Sequence, residues 1–236
     1  MGKDCLTLKT EVTGCQLWRE LNRRFRLQTV PVKCCGYSLK LTKVADLDEL
    51  LEGVTDADQI PFWAELWPAS LGLARYILNN RCLFEGRFGL ELGAGVGLAG
   101  IAARLAGADI LQTDYAEVAL DFIRINSLQN GLSEPQLLLA NWRSFPETDK
   151  YDFILGADIL YEKTLHQDLA AIMANSIKPE GAVWLADPGR DYAMGFVLTL
   201  MDQGWLVKQS RVPVVYENST HQMDIYQLRL DGTEHR

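Results

Sequence analysis

The second half of the chain alternates short apolar segments with segments whose apolar positions recur at helical spacing. Residues 88–92 form the first apolar segment, and residues 98–106 follow with a helical pattern. Further strands are predicted at 108–113, 136–140, 151–156 and 182–186, with helices at 117–129, 165–177 and 191–203. The segment 151–156 is nearly all apolar, as is typical of a strand buried on both faces. This alternation predicts a doubly wound α/β sheet that binds ligands at the carboxyl ends of its strands.

The two ends of the chain have a different pattern. Residues 205–216 and 224–230 are predicted to form an antiparallel pair, giving a seven-stranded, mostly parallel sheet. Near the amino terminus, we predict an amphipathic helix at 17–27, a hairpin within 30–44 that turns near Gly36, and a short acidic helix at 46–52. The chain is therefore divided into an N-terminal extension, 1–60, expected to cap the core and to help recognise a substrate, and an α/β domain, 61–236.

Three glycines on alternate positions follow the first predicted strand. Gly93, Gly95 and Gly97 remove the side chains that would keep a ligand away from the backbone. A turn without a ligand is the alternative. The third glycine of a dinucleotide-binding G-x-G-x-x-G motif is replaced by Leu98. Glu91 would repel a pyrophosphate but attract a cationic group, such as the amino-acid end of S-adenosylmethionine.

A polar residue stands at the end of each of five successive strands. These residues are Glu91, Asp114, Asn141, Asp158 and Asp187. Asp114 lies close to the offset from the glycines at which a carboxylate reaches ribose hydroxyls. Helix N-capping is the alternative for both Asp114 and Asp158, and in Asp114 the two roles are compatible.

An aromatic segment precedes the glycine motif. Phe62, Trp63 and Trp67 lie between Pro61 and Pro68, which predicts a stiff loop followed by a helix from Ser70. Packing in the core and stacking against a base are both open to these rings.

The charge and the cysteine content disfavour several classes of protein. The chain has 23 basic and 31 acidic residues, a net charge of −8, which disfavours a general nucleic-acid binder. Its five cysteines are odd in number and form no C-x-x-C pair, so we expect neither disulfides nor a metal site. No signal peptide or membrane-spanning segment is visible, and we expect a cytoplasmic monomer without membrane attachment.

These motifs together resemble the seven-strand S-adenosylmethionine-dependent methyltransferases with their Rossmann-like fold. Within them the chain is similar to methyltransferase family 16, the D-x-x-Y protein-lysine methyltransferases. The resemblance covers about residues 60–230 and rests on F-W-x-x-x-W-P, E-L-G-A-G-x-G and D-x-x-Y (Asp158, Tyr161). The D-P-G-R segment, residues 187–190, is most similar to the branch that modifies the electron-transfer-flavoprotein β-subunit.

The resemblance implies S-adenosyl-L-methionine as cofactor and a lysine of a protein as acceptor. It places Asp158 and Tyr161 at the substrate entrance, as catalytic residues that hold and orient the amine. The implied cofactor-binding residues are Trp63, Glu91, Gly93, Ala94, Gly95, Gly97, Asp114, Tyr115, Asn141, Trp142 and Ala157.

Two other functions stay open. A small-molecule or nucleic-acid N-methyltransferase has the same fold, since fold does not set function. Against base methylation, Asp158-Ile-Leu-Tyr161 stands where an N-P-P-Y-type sequence is expected. A non-catalytic module that binds S-adenosylmethionine is the other alternative, disfavoured by the intact set of acidic residues and glycines.

Overall fold

A seven-stranded sheet forms the centre of the molecule, in a computed structural model that describes residues 14–51 and 60–231. Its strand order is β5-β4-β3-β6-β7-β9-β8, and a separate two-stranded hairpin is formed by β1 and β2. The strands are β1 (Leu27–Cys34), β2 (Tyr37–Val44), β3 (Phe88–Leu92), β4 (Asp109–Asp114), β5 (Gln136–Leu139), β6 (Tyr151–Ala157), β7 (Ile177–Asp187), β8 (Trp205–Tyr216) and β9 (Ser219–Leu230). The helices are α1 (Gly14–Arg24), α2 (Asp48–Leu51), α3 (Pro68–Asn79), α4 (Leu98–Leu105), α5 (Glu117–Gln129), α6 (His166–Ser176) and α7 (Asp191–Asp202).

The five strands from β3 to β7 are parallel, and β9 lies antiparallel between β7 and β8. This arrangement confirms the predicted doubly wound, mostly parallel α/β sheet with its antiparallel C-terminal pair. Helices α3 and α4 pack on one face of the sheet, and α6 and α7 on the other. Because both faces are covered, the central strands are almost wholly apolar, as in β6.

Several predicted boundaries were wrong. Helix α1 ends at Arg24, because strand β1 already begins at Leu27. Strand β7 begins at Ile177, which pairs with Tyr151 before a register shift, so the predicted turn at 178–181 lies within the strand. The predicted start of the last strand at Asp224 was also too late.

Strand β9 starts early because β8 and β9 form one long hairpin with a two-residue turn. Glu217 and Asn218 have φ angles of 47° and 63°, the pair of left-handed conformations that a type I′ turn requires. The pairing therefore begins directly at Tyr216 and Ser219.

The N-terminal hairpin confirms the prediction of a turn near Gly36, since Cys34 pairs with Tyr37. It is attached to α5 through side-chain amides. Asn126 accepts from the backbone N–H of Thr42 at 2.7 Å, and donates to the carbonyls of Thr42 at 2.9 Å and Val96 at 2.8 Å. The hairpin thus covers α5 and is tied to the glycine turn through one buried side chain. The predicted helix at 46–52 is limited to α2, and Glu52 lies outside the described residues.

Candidate active site

The glycine turn joins β3 to α4 at the carboxyl edge of the sheet. Gly93, Gly95 and Gly97 have φ angles of 64°, 53° and 88°, a backbone conformation that residues other than glycine rarely adopt. A Cβ atom at Gly93 would lie 2.9 Å from Cζ2 of Trp142, and one at Gly97 would lie 3.1 Å from Ile123. Gly93 therefore keeps room at the cleft, whereas Gly97 allows α5 to pack closely.

Glu91 lies beneath this turn at the end of β3 and is 2% exposed. Its Oε2 accepts a hydrogen bond of 2.8 Å from Nε2 of Gln112. Burial raises the pKa of Glu91 to about 8, with a smaller upward contribution from Asp114, while hydrogen bonds from Gln112 and Gly100 oppose the rise. The carboxyl group is therefore protonated at neutral pH until a cation arrives.

Asp114 ends the neighbouring strand β4 and is 3% exposed. Its carboxylate accepts backbone hydrogen bonds from Gly95 at 2.9 Å and Ala116 at 3.0 Å. Burial raises its pKa to about 6, although the backbone hydrogen bonds lower it. Asp114 thus closes a turn at Ala116 and also braces the glycine turn. The N-cap of α5 is Ala116, without a side-chain cap, so the alternative that Asp114 caps the helix was wrong.

The aromatic loop forms the opposite wall. The ring of Trp63 packs between Phe25 and Phe122, with centroid distances of 5.7 and 5.8 Å. The backbone of Trp63 faces Gly95, where a Cβ would lie 3.5 Å from the Trp63 carbonyl oxygen. Trp67 closes the loop by donating from Nε1 to the Phe62 carbonyl at 2.8 Å. The Trp63 ring therefore packs in the core while its backbone helps form the cleft.

Glu65 lines the cleft although it was not among the predicted site residues. It accepts from the hydroxyl of Tyr216 at 2.9 Å and pairs with Nζ of Lys43 at 2.5 Å. Lys43 lies in the hairpin and Tyr216 in β8, so Glu65 joins the N-terminal extension, the aromatic loop and the last strands. Its position between Trp63 and Trp67 is the only signal in the sequence.

Asp158 and Tyr161 follow β6 at the other end of the cleft. Asp158 has φ 60°, and its backbone N–H donates to the carbonyl of Ala186 at 2.9 Å. Its carboxylate does not cap a helix; it pairs with Arg190 at 2.5 Å. The ring of Tyr161 meets that of Phe62, with centroids 4.8 Å apart.

The structure brings most of the predicted site residues to one cleft. The predicted residues that line it are Trp63, Glu91, Gly93, Ala94, Gly95, Asp114, Tyr115, Trp142, Ala157, Asp158 and Tyr161. Phe62, Glu65, Trp67, Ser70, Val96 and Ile159 also line it. Asn141 borders an adjoining recess with Tyr115 and Trp142, and Gly97 lies behind the lining.

The lining suits a ligand that carries both a positive charge and hydroxyl groups. Two carboxyl groups, Glu91 and Asp114, are buried against the cleft without a cationic partner among the described residues. The glycine turn leaves backbone beside them uncovered, and the indole of Trp142 lies against Gly93. S-adenosylmethionine, with its ammonium, ribose and adenine, fits this combination.

Among solved structures, the chain is similar to the 16S rRNA N2 G1207 methyltransferase RsmC of T. thermophilus, crystallised with AdoMet and guanosine. The TM-score is 0.61 at 17% identity, over 87% of this chain and 51% of that chain. The sheet and the cleft at its edge define the class of fold, a Rossmann-like α/β fold. The chain belongs to the lysine methyltransferase family, whose model matches residues 55–197. Family and fold indicate S-adenosylmethionine as the methyl donor.

The chain is also similar to curated lysine methyltransferases over about half of its length. The electron transfer flavoprotein beta subunit lysine methyltransferase of Mus musculus is 34% identical over 137 residues, 57% of this chain and 53% of the relative. The protein N-lysine methyltransferase METTL21A of Xenopus tropicalis is 38% identical over 119 residues, 48% of this chain and 55% of the relative. The chain spans about half the length of these curated relatives. The predicted family and branch are confirmed.

Residues 14–51 and 60–231 contain no group of three or more His, Cys, Asp or Glu side chains arranged to hold a metal ion. Within the same ranges, no helix is both long and apolar enough to cross a lipid bilayer.

Proposed function

We propose that this protein transfers a methyl group from S-adenosylmethionine to the side-chain nitrogen of a lysine in a protein substrate. The observation that carries the proposal is the position of Asp158 and Tyr161. They lie at one end of a cleft whose other end presents buried carboxyl groups and bare glycine backbone. Family membership supports this choice of acceptor over a nucleic acid or a small molecule.

We assign the cofactor end of the cleft to the glycine turn and its two acidic neighbours. Glu91 would hold the ammonium group, and Asp114 would accept from the ribose hydroxyls. Tyr115 and Trp142 would border the adenine, while the Trp63 backbone closes the cleft opposite Gly95. When bound, the cofactor supplies a methyl group on a positively charged sulfur.

The acceptor end must orient an amine and remove its proton. An ammonium has no lone pair, so lysine must lose a proton before it reacts. We assign Asp158 to hold the incoming ammonium and Tyr161, stacked on Phe62, to orient the amine once its proton has passed to water. Low polarity near the aromatic loop lowers the lysine pKa and assists this loss. The remaining work of the protein is alignment of the reacting atoms.

The test adds the purified protein and radiolabelled S-adenosylmethionine to a lysate of cells that lack the protein. The labelled band is then analysed by mass spectrometry. We expect a methylated lysine in one or a few proteins. Label confined to nucleic acid or to molecules below the size of proteins would refute the lysine proposal. Cofactor binding without any transfer would instead favour the non-catalytic module.

Asp158 is tested by substitution. We expect Asp158→Ala to abolish transfer while cofactor affinity, measured by calorimetry, stays within about twofold. Asp158→Asn is the better folded companion, because asparagine tolerates the left-handed backbone that Asp158 adopts. The exposed Asp202→Asn on α7 is the matched control. Joint loss of binding and transfer in Asp158→Asn would move Asp158 into the cofactor site.

The N-terminal extension, oligomeric state and compartment complete the proposal. We propose that residues 1–60 cap the site, because Lys43 of the hairpin pairs with Glu65 in the cleft wall. We propose a monomer. We also propose that it is cytoplasmic, because exposed free thiols such as Cys15, Cys35 and Cys82 suit a reducing compartment. Light scattering of the purified protein and fluorescence microscopy of a tagged copy test these two points.

A further inference from the structure

Asp158 belongs to a cluster of two buried carboxylates and one partly exposed guanidinium. Nη1 of Arg190 lies 2.5 Å from Oδ1 of Asp158 and 2.9 Å from Oδ2 of Asp187. The other oxygen of Asp187 accepts from the backbone N–H groups of Gly189 and Arg190, both at 2.8 Å. Asp187 is fully buried, so it holds the loop after β7 firmly and brings Arg190 toward Asp158.

The conformation of Asp158 requires support. A φ angle of 60° is unfavourable for a residue with a side chain. The backbone bond to Ala186 fixes its main chain, and the ion pair with Arg190 fixes its carboxylate. Both contacts come from β7 and the loop that follows it.

The cluster borders a recess that adjoins the main cleft. This recess is lined by Phe62, Trp67, Asp158, Tyr161 and Arg190. All of these except Arg190 also line the main cleft, so the recess is continuous with the cleft's acceptor end. Arg190 therefore lies beside the place where Asp158 meets an incoming side chain.

Building on the proposed lysine methyl transfer, we propose that Arg190 is a positioning residue for Asp158. It bridges Asp158 to Asp187, turns the Asp158 carboxylate toward the aromatic recess and leaves the cluster with one net negative charge. A single negative charge matches one lysine ammonium. Removing Arg190 would take away the cation that opposes the effect of burial on the pKa of Asp158, so this pKa would rise.

Because charged groups surround Asp158, the effect of removing Arg190 can be measured as a change in the pH dependence of methyl transfer. Burial raises the pKa of Asp158, Arg190 lowers it, and Asp187 raises it. Behind the loop, Oδ2 of Asp224 lies 3.2 Å from the position of a Cβ at Gly189. Titratable groups on the elements around the cluster are Tyr161, Asp187, Arg190, Arg211, Asp224 and Tyr226, with Glu65, Glu91 and Asp114 on the other cleft walls. Asp224 is paired with Arg211 at 2.8 Å, so Arg190 is the cation that directly contacts Asp158.

The experiment compares Arg190→Gln, Arg190→Lys and the control Arg211→Gln. Arg211 also pairs with a buried aspartate, but it lies on β8 outside the cleft, and its side chain is 63% exposed. For each variant, kcat and KM for the protein acceptor are measured from pH 6 to 9.5, with cofactor affinity and thermal unfolding alongside.

We expect Arg190→Gln to lower kcat at least about tenfold at pH 7 and to move the acidic limb of the profile upward by about one pH unit. Arg190→Lys should recover part of kcat and return the limb toward wild type, and Arg211→Gln should match wild type. Cofactor affinity should change by less than about twofold in all three.

The inference is overturned if Arg190→Gln keeps the wild-type pH profile, or if kcat falls without a shift of the acidic limb. It is also overturned if Arg211→Gln gives the same shift, because the effect would then be general to the sheet edge. If the wild-type protein methylates an acceptor and Arg190→Gln behaves identically, the inference about Arg190 is refuted while the proposed function stands. A wild-type protein that labels no acceptor refutes the proposed function and this inference with it.

Discussion

Binding of the cofactor should release a proton from Glu91. In the free protein the pKa of this carboxyl is about 8, chiefly because burial disfavours its charged form. An ammonium group placed beside it would favour the charged form and lower the pKa. At pH 7, about 0.9 of the Glu91 side chains are protonated before binding, and all of these must ionise.

The amount of proton release follows from this pKa. The amino group of the free cofactor, with a pKa near 8, is about 0.1 deprotonated at pH 7 and takes up that fraction when it binds as ammonium. The net release is therefore about 0.8 proton per cofactor at pH 7. At pH 9, where only about 0.1 of Glu91 is protonated, the release should give way to net uptake.

Isothermal titration calorimetry with S-adenosylhomocysteine measures this number. The slope of the binding enthalpy against the ionisation enthalpy of several buffers at pH 7 gives the protons exchanged. Glu91→Gln removes the titrating group and should show only the small uptake by the ligand, with affinity reduced about 10- to 100-fold by loss of a charged hydrogen bond. A buffer-independent enthalpy for the wild type, or equal release from Glu91→Gln, would contradict the assignment.

The same group makes the free protein's stability depend on pH. Because the folded pKa of Glu91 is above the unfolded value of about 4.5, the folded state binds more protons between these values. The stabilisation is complete below about pH 4.5 and is lost as pH rises through about 8. Asp114, raised from 3.8 to about 6, acts in the same direction at lower pH. Urea denaturation at pH 6 and pH 9 should show this loss, and Glu91→Gln should reduce it.

The remaining predictions concern two helix glycines and the side chain that attaches the hairpin. A Cβ at Gly100 would lie 2.3 Å from the amide carbon of Gln112, so Gly100→Ala should destabilise the protein by about 1–3 kcal/mol in urea denaturation. In Gly195→Ala the new Cβ would meet nothing within 4 Å, and stability should rise by about 0.5–1 kcal/mol; equal effects at the two glycines would refute the packing argument. Asn126→Leu leaves the backbone of Thr42 and a carbonyl of the glycine turn unpaired, so urea denaturation should show a loss of about 2–4 kcal/mol. Calorimetry should show weaker cofactor binding as well, and unchanged affinity would mean that the hairpin does not support the turn.

The central sheet was predictable because its signals are local. A strand buried on both faces must be apolar throughout, and β6 and its neighbours show this directly in the sequence. The carboxyl ends of parallel strands meet at one edge, so Glu91, Asp114 and Asp158 were expected together before any coordinates. The cleft contains all three.

The contacts that complete the site depend on geometry that no local pattern carries. Arg190 reaches Asp158 because a turn held by Asp187 directs it back across the edge of the sheet. Glu65 acquires its partners from β2 and β8, which are remote from it in the chain. Long-range pairs of this kind follow from how loops close over the sheet, so charge and spacing alone did not reveal them.

The two ends of the cleft differ in how their negative charge is balanced, and this difference separates binding from transfer. At the proposed cofactor end, Glu91 and Asp114 are buried and no cation of the described residues lies beside them, so their pKa values are raised and a ligand must bring the positive charge. At the acceptor end, Asp158 already contacts Arg190, which opposes the effect of burial on its pKa. Cofactor affinity should therefore follow the ionisation of Glu91 and Asp114, whereas the acidic limit of transfer should follow Asp158. Substitution of Arg190 should shift the pH dependence of transfer and leave the pH dependence of cofactor affinity unchanged.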